Sequence, residues 1–255
     1  MSAPVQVAKV GGTQLESREG LEALAHHVTR VRESGRRPIV VHGEGRELTE
    51  LELRSGLRSE MEVPKILGLG VTTERGMELA TMVLCGLVNK RVVAFLTARG
   101  CCAVGLSGVD FGFMRSALLN RTRLGRVGGP PRVDVTHIRP LLDAGCVPVV
   151  APVCLGADRG LVNVDADTVA QSLAVALDAD VLEFVSSVDA VRDEDGPVRH
   201  VAAHDVDDLV SRPAVQGALV PELHAGLAAV EGGVRRVRIG SFDSLACGEA
   251  TVMQR

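Results

Sequence analysis

The sequence predicts an α/β protein built of βαβ units around a parallel sheet buried on both faces. Three observations carry that expectation. Short runs rich in Val and Ile alternate with longer stretches whose apolar residues recur at helical spacing. Those short runs are apolar at nearly every position, as strands covered on both sides must be. Glycine, 28 of 255 residues, collects at their ends, where tight turns are needed.

In chain order, VQVAKV (5–10) predicts the first strand. Ser17 to Glu33 predicts a helix with Leu21, Leu24, Ala25, Val28 and Val31 on one face, and PIVV (38–41) a second strand. Arg75 to Arg99 holds a long helix, with Leu79, Met82, Val83 and Leu87 at helical spacing. CAVGLSG (102–108) is a strand with a glycine-rich exit. The Gly-, Pro- and Arg-rich stretch RTRLGRVGGPPRVD (121–134) reads as an exposed hairpin or flap. His137 to Ala144 is helical, VPVVAPV (147–153) a strand, and LGADRGLVN (155–163) a turn region between two lobes. Asp167 to Leu177 is a helix, VLEFVSS (181–187) a strand, Val206–Ser211 and Val220–Glu231 helices, and VRRVRIG (234–240) and ATVM (250–253) strands.

Composition excludes some functions. Net charge is -4, and the nearest approach to a basic stripe is Arg115, Arg121, Arg123 and Arg126. With five Phe and no Tyr or Trp there are few platforms for stacking bases, so no nucleic-acid partner is expected. No apolar run reaches the ~18–20 residues that span a bilayer, so no membrane association is expected. The start lacks a basic region followed by an apolar stretch, which predicts a cytoplasmic protein. The cysteines at 85, 101, 102, 146, 154 and 247 form no CxxC pair, which argues against a zinc ribbon or a thioredoxin motif. Most sit in apolar surroundings such as AGCVPVV, which predicts small buried hydrophobes in a reducing compartment.

Three strand exits stand out: Lys9-Val10-Gly11-Gly12, His42-Gly43-Glu44-Gly45 and Gly105-Leu106-Ser107-Gly108. Glycine at such a corner lets backbone N–H groups approach an anion, and a lysine on the same strand end supplies a point charge for phosphate. Neither a GxxxxGK[ST] loop nor a GxGxxG fingerprint is present. His42 reads as a satisfied buried histidine.

With these corners in order, eight segments resemble the amino acid kinase family: AKVGGT (8–13), VVHGEG (40–45), GLGVTTE (68–74), MVLCGLVNKRVV (82–93), AVGLSGVD (103–110), LLDAGCVPVVAP (141–152), NVDADTVA (163–170) and AVEGGVRRVRI (229–239). The resemblance runs from Lys9 to Val252. It is nearest to the acetylglutamate kinase branch and to the kinase acting on aminoadipate held on a small carrier protein. It implies a three-layer α/β/α sandwich with a mainly parallel central sheet. Residues 1–155 would form an N-terminal lobe for amino-acid binding and dimerisation, and 156–255 a C-terminal lobe for nucleotide. The implied reaction moves the γ-phosphoryl of ATP, with Mg2+, to a side-chain carboxylate of an N-blocked amino acid, giving an acyl phosphate. The substrate would be a small amino-acid derivative, free or carried on a small acidic protein, and the enzyme a homodimer.

Carried over residue by residue, the resemblance gives Lys9 and Asp167 catalytic roles. It gives Gly43, Glu44, Gly45, Gly70, Asn163 and Asp165 substrate roles, and Gly11, Gly12, Ser186, Ser187 and Glu222 nucleotide roles, with no protein metal site. The plain alternatives are an exposed strand-end Lys9, an Asp167 that only caps its helix, and a turn Asn163. The sequence also departs from the family's pattern. The second lysine falls on Glu222, the substrate-clamping arginine on Gly70, the middle glycine of the second corner on Glu44, the aspartate of the nucleotide loop on Ser187 and its glycine on Ala190. An asparagine has become Asp165. Arg46 could neutralise Glu44 locally. These changes leave two alternatives: a catalytically impaired homologue that binds a ligand or regulates, or a repurposed enzyme. In the latter, Glu44, Asp165, Asp167 and Glu222 would converge on a divalent metal or a polyamine-like substrate.

Overall fold

A computed structural model describes residues 3–56 and 71–254. Its strands are β1 (Val5–Val10), β2 (Arg37–His42), β3 (Ala103–Ser107), β4 (Met114–Ser116), β5 (Val127–Gly128), β6 (Arg132–Val133), β7 (Val147–Ala151), β8 (Val153–Gly156), β9 (Leu161–Val164), β10 (Val181–Val185), β11 (Arg192–Asp193), β12 (Gly196–Pro197), β13 (His200–Ala202), β14 (Arg236–Gly240) and β15 (Thr251–Gln254). The helices are α1 (Arg18–Glu33), α2 (Gly45–Arg54), α3 (Glu74–Thr97), α4 (Arg121–Leu124), α5 (Ile138–Asp143), α6 (Ala166–Ala176), α7 (Val206–Ser211), α8 (Leu219–Glu231) and α9 (Phe242–Cys247).

Eight strands form the central sheet, in the order β13-β15-β14-β10-β1-β2-β7-β3. All neighbours are parallel except β14 and β15. Strands from the first 151 residues occupy one half and the later strands the other, meeting where β1 pairs β10. Lys9 lies opposite Val41 and Phe184, and Val10 opposite His42 and Val185. This register brings the chain exits after β1, β2 and β10 out together at the carboxyl edge, where open α/β sheets place their ligands.

Each face carries its own core. Val5, Val7, Ile39 and Val41 pack with Leu173 of α6 and Leu223 of α8; Val10, Val40 and Val149 pack with Leu24 and Val28 of α1 and Leu84 of α3. The Ser17 hydroxyl accepts from Gly20 N–H at 3.0 Å and starts α1 one residue inside the predicted boundary.

Several expectations are corrected. The long helix runs Glu74–Thr97, ending two residues before the predicted Arg99, but Met82–Val88 is π-helical, which rotates the following turns. Leu79 and Val83 are buried as the spacing requires, whereas Met82 and Leu87 are 57% and 50% exposed. The helix is also long and apolar enough to cross a membrane by composition, with mean hydropathy 1.7 over its most apolar window. Here it buries Met77, Leu84, Val88, Val92 and Leu96 in the core.

The stretch 147–153 is two strands, broken at Pro152, and 155–163 is no linker. β8 and β9 form an antiparallel hairpin, Val153 opposite Asn163, inside a second, five-stranded sheet ordered β5-β9-β8-β4-β6. Part of the predicted flap joins that sheet as β5 and β6. Arg126 is buried there, donating to the Leu161 carbonyl at 2.7 Å and pairing with Asp158 at 2.5 Å, so it belongs to no basic surface. Among the cysteines only Cys101 and Cys154 are buried; Cys85 and Cys146 are half-buried, and Cys102 and Cys247 are exposed.

Candidate active site

Two of the three glycine corners touch. A Cβ on Gly12 would lie 1.9 Å from the Gly45 nitrogen, and one on Gly43 3.1 Å from the Gly12 nitrogen. Gly45 itself has φ +66°, a conformation that side chains resist. Both loops therefore present bare backbone to a cleft of about 780 Å³, which Lys9, Asn163, Asp165 and Asp167 also line. The third corner is a packing contact: a Cβ on Gly105 would strike Asn89 Oδ1 at 2.0 Å, and one on Gly108 would strike Met114.

Lys9 is the centre of the cleft's charge. Its Nζ lies 2.8 Å from Asp167 Oδ1 and 3.3 Å from Glu222 Oε1. The three residues are 8%, 5% and 2% exposed. Burial opposes charge on Lys9, but Asp167 and Glu222 outweigh it and raise its pKa. Burial also raises Glu222, against the pull of Lys9. One ammonium thus faces two buried carboxyls. The cap of α6 is Asp165, whose Oδ1 accepts from the Asp167 and Thr168 N–H groups at 3.0 Å each. That frees Asp167 to hold Lys9 and overturns the reading of Asp167 as the helix cap.

Asn163 stands on β9 rather than in a turn, with its Nδ2 3.3 Å from Thr72 Oγ1. Glu44 lies exposed at the cleft's rim. Arg46 does not serve as its local neutraliser: it binds Glu16, through its backbone N–H at 2.5 Å and its Nε at 2.9 Å. Ser186 is buried beside the site: its side chain hydrogen-bonds the Glu222 carboxyl, its N–H donates to Gly240 and its carbonyl accepts from Gln14 Nε2 at 2.8 Å; Ser187 is exposed and does not line the cleft. Gly70 lies outside the described residues. Glu44, Asp165 and Asp167 line the cleft and Glu222 lies against Lys9, but among the described residues no three His, Cys, Asp or Glu side chains are arranged to hold a metal ion.

His42 is fully buried, with Nδ1 3.2 Å from the Gly43 carbonyl and Nε2 3.2 Å from Asn89 Nδ2. Asn89 also donates to the Val149 carbonyl at 2.9 Å, so the asparagine of CGLVNK ties α3 to β7 and to His42 at the end of β2. Of the cleft residues that the sequence reading does not single out, the buried carboxyl matters most. Glu52 of α2 is only 8% exposed and lines the cleft. Its signal was the amphipathic run ELTELEL, in which a carboxylate occupies an inward position.

These carboxyls predict a pH dependence. Burial pushes Asp167 from its usual 3.8 up to about 7, despite Lys9. Burial and then Glu44 push Glu52 from 4.5 to about 7. The folded protein holds both protons more tightly than the unfolded chain. Their stabilising contribution is therefore complete below about pH 4 and is lost as pH rises through about 7. His42 works the other way, since burial lowers it from 6.5 to about 4, but only below pH 6.5. From pH 6.5 to ~8 the melting temperature should fall, and Glu52→Gln should flatten the fall. A melting temperature that stays level over that range would show that these carboxyls ionise normally.

The fold and cleft define a parallel α/β protein with a carboxylate-held lysine between two glycine corners at its strand ends. A family model described as the amino acid kinase family matches residues 4–241. The acetylglutamate kinase of Symbiobacterium thermophilum is 38% identical over 93% of this chain and 84% of its own. That of Methanopyrus kandleri is 38% identical over 98% of this chain and 100% of its own. Among solved structures, smu.665 from Streptococcus mutans superposes with TM-score 0.82 at 23% identity, covering 98% of each chain. Carbamate kinase from Giardia lamblia bound to AMP-PNP gives 0.73 at 13% identity over 100% of each, so these two neighbours speak to the fold alone. The chain belongs to the amino acid kinase family. Within that family it is acetylglutamate kinase-like.

Proposed function

We propose that this protein transfers the γ-phosphoryl of ATP to the side-chain carboxylate of an N-blocked acidic amino acid such as N-acetylglutamate. The observation that carries the reading is the Lys9 ammonium, fixed by Asp167 at 2.8 Å in the floor of a cleft walled by two touching glycine corners. In that reaction a carboxylate oxygen attacks the γ-phosphorus, the bond to the β–γ bridging oxygen breaks, and ADP leaves with its electron pair. Two anions must meet, so catalysis is mostly positioning and charge neutralisation.

Lys9 would face the transferring group, the N–H groups of Gly11, Gly12 and Gly45 its oxygens, and Asn163 and Asp165 the amino-acid substrate, while the Gly43 N–H holds the corner by donating to the Val10 carbonyl at 2.9 Å. Mg2+ would arrive on the nucleotide and neutralise its β- and γ-phosphates, since the described residues offer no cage for it. The segment 1–155 would then hold the acid with help from Asn163 and Asp165, and 156–255 the nucleotide with help from Gly11 and Gly12. The exposed Met82 and Leu87 of α3 support pairing of two copies through that helix. A cytoplasmic location and a soluble small-molecule substrate fit this reading.

The test is hydroxylamine trapping. With MgATP and N-acetylglutamate, hydroxamate should form in step with ADP. Absence of hydroxamate with N-blocked glutamate and aminoadipate alike, in protein whose melting temperature MgATP raises, would sink the reading.

A further inference from the structure

Cys102 and Cys146 immediately precede β3 and β7, at the ends of those strands remote from the cleft. β3 and β7 are parallel, with Ala103 opposite Val147. The Val147 N–H donates to the Cys102 carbonyl at 2.7 Å, so one step earlier Cys102 sits beside Cys146. Parallel neighbours lie ~4.8 Å apart, inside the ~4.4–6.8 Å Cα separation that a disulfide accepts. The two Sγ atoms are 3.1 Å apart, although the residues are 44 positions apart in the chain. Both are free thiols; Cys102 is exposed and Cys146 half-buried, so the pair is open to a small reagent.

The remaining cysteines are less suited. Cys101 is buried with its Sγ 4.0 Å from Arg32 Nη1. Burial pushes Cys85 up to about 11 and Cys154 up to about 12, which suppresses their thiolates. Cys247 is exposed, and its thiol donates to the Ser244 carbonyl.

We propose that Cys102 and Cys146 are a thiol–disulfide exchange site, oxidised by low-molecular-weight disulfides to a reversible bond across the edge of the central sheet. The Cys102 thiolate attacks one sulfur of the small disulfide, whose S–S bond breaks to release a first thiolate. Cys146 gives up its proton and attacks Cys102 Sγ in the mixed disulfide, releasing a second. Two protein S–H groups are thereby oxidised to one S–S bond, one small disulfide is reduced to two thiols, and the two protons end on the released thiolates. The order follows from the sites. Cys102 is the accessible sulfur, and its contact with Cys146, followed by burial, raises the pKa of Cys146, which keeps its proton until Cys102 has reacted. An exposed disulfide of this kind is a labile one. It would also close a long loop that includes β4, β5 and β6 of the five-stranded sheet.

The experiment exposes the whole protein to excess oxidised glutathione, blocks remaining thiols by alkylation and measures intact mass. Wild type should lose two hydrogens, peptide mapping should link Cys102 to Cys146, and dithiothreitol should reverse the change. The oxidised form should melt higher, by about 5 °C or more. Cys146→Ser should stop at one glutathione adduct on Cys102, and Cys102→Ser should leave Cys146 unreacted over the same interval. The proposal fails if wild type keeps a stable glutathione adduct, links Cys101 to Cys102, cross-links two copies, or retains both thiols.

Discussion

Glu222→Lys should raise hydroxamate formation about 100-fold at fixed MgATP and N-acetylglutamate, because a single preorganised charge facing a transferring phosphoryl is worth ~10²–10³ in rate. Glu222 now lies 3.3 Å from Lys9 and is 2% exposed. In a dry site a carboxylate there weakens Lys9 as a partner for phosphate and repels the incoming anion. Lysine at this position changes the local charge by two and leaves Asp167 between two ammonium groups. Without nucleotide the variant should melt below wild type, since like charges then face each other unscreened. MgATP should restore more of its stability than it does for wild type, by binding the folded state. Glu222→Gln removes the anion without adding a cation and should fall between the two. A folded Glu222→Lys protein that MgATP stabilises but that turns over no faster than wild type would show that position 222 does not face the transferring group.

How much of this was legible from residues depends on what each element buries. The strands of the central sheet could be read because β1, β7 and β10 are buried at every position and so are apolar except at Gln6, Lys9 and Glu183. α1 could be read because its buried stripe and its Ser17 cap agree. The second sheet could not, because its strands are two to four residues long and carry no period. α2 was missed because its first four residues, Gly-Arg-Glu-Leu, look like the continuation of a polar loop and one of its buried positions is Glu52.

At the site, the glycine corners and Lys9 were readable as a likeness to phosphate-binding corners. Their contact was not, since it depends on the register of β1 against β2. Nor could the chain order assign the roles of two aspartates two residues apart: Asp165 turns back onto the helix and Asp167 turns to Lys9. The pairing of Arg46 with Glu16 and of Cys102 with Cys146 spans 30 and 44 positions, distances over which local pattern carries no information.

Lys9→Met should be the most destabilising single change in the cleft. Methionine keeps most of the volume, so the effect reads the charge rather than a cavity. Asp167 and Glu222, 5% and 2% exposed, would be left facing each other without their cation. Removing one partner of a buried pair costs about 3–5 kcal/mol, which for a chain of this size lowers the melting temperature by about 10 °C. The loss has a sign with pH. Lys9 is what restrains the upward shift of both carboxyls, so without it their pKa values rise further and they protonate at higher pH. The protonated pair is tolerated, so the deficit should be smallest near pH 5.5 and largest near pH 8. Adding Glu222→Gln to Lys9→Met should recover much of the loss at pH 8, because one uncompensated carboxylate is then gone, while phosphoryl transfer stays absent. Thermal melts of the three proteins at the two pH values decide the matter. An equal deficit at both, or no recovery in the double variant, would mean that Lys9 serves packing alone and does not balance these carboxylates.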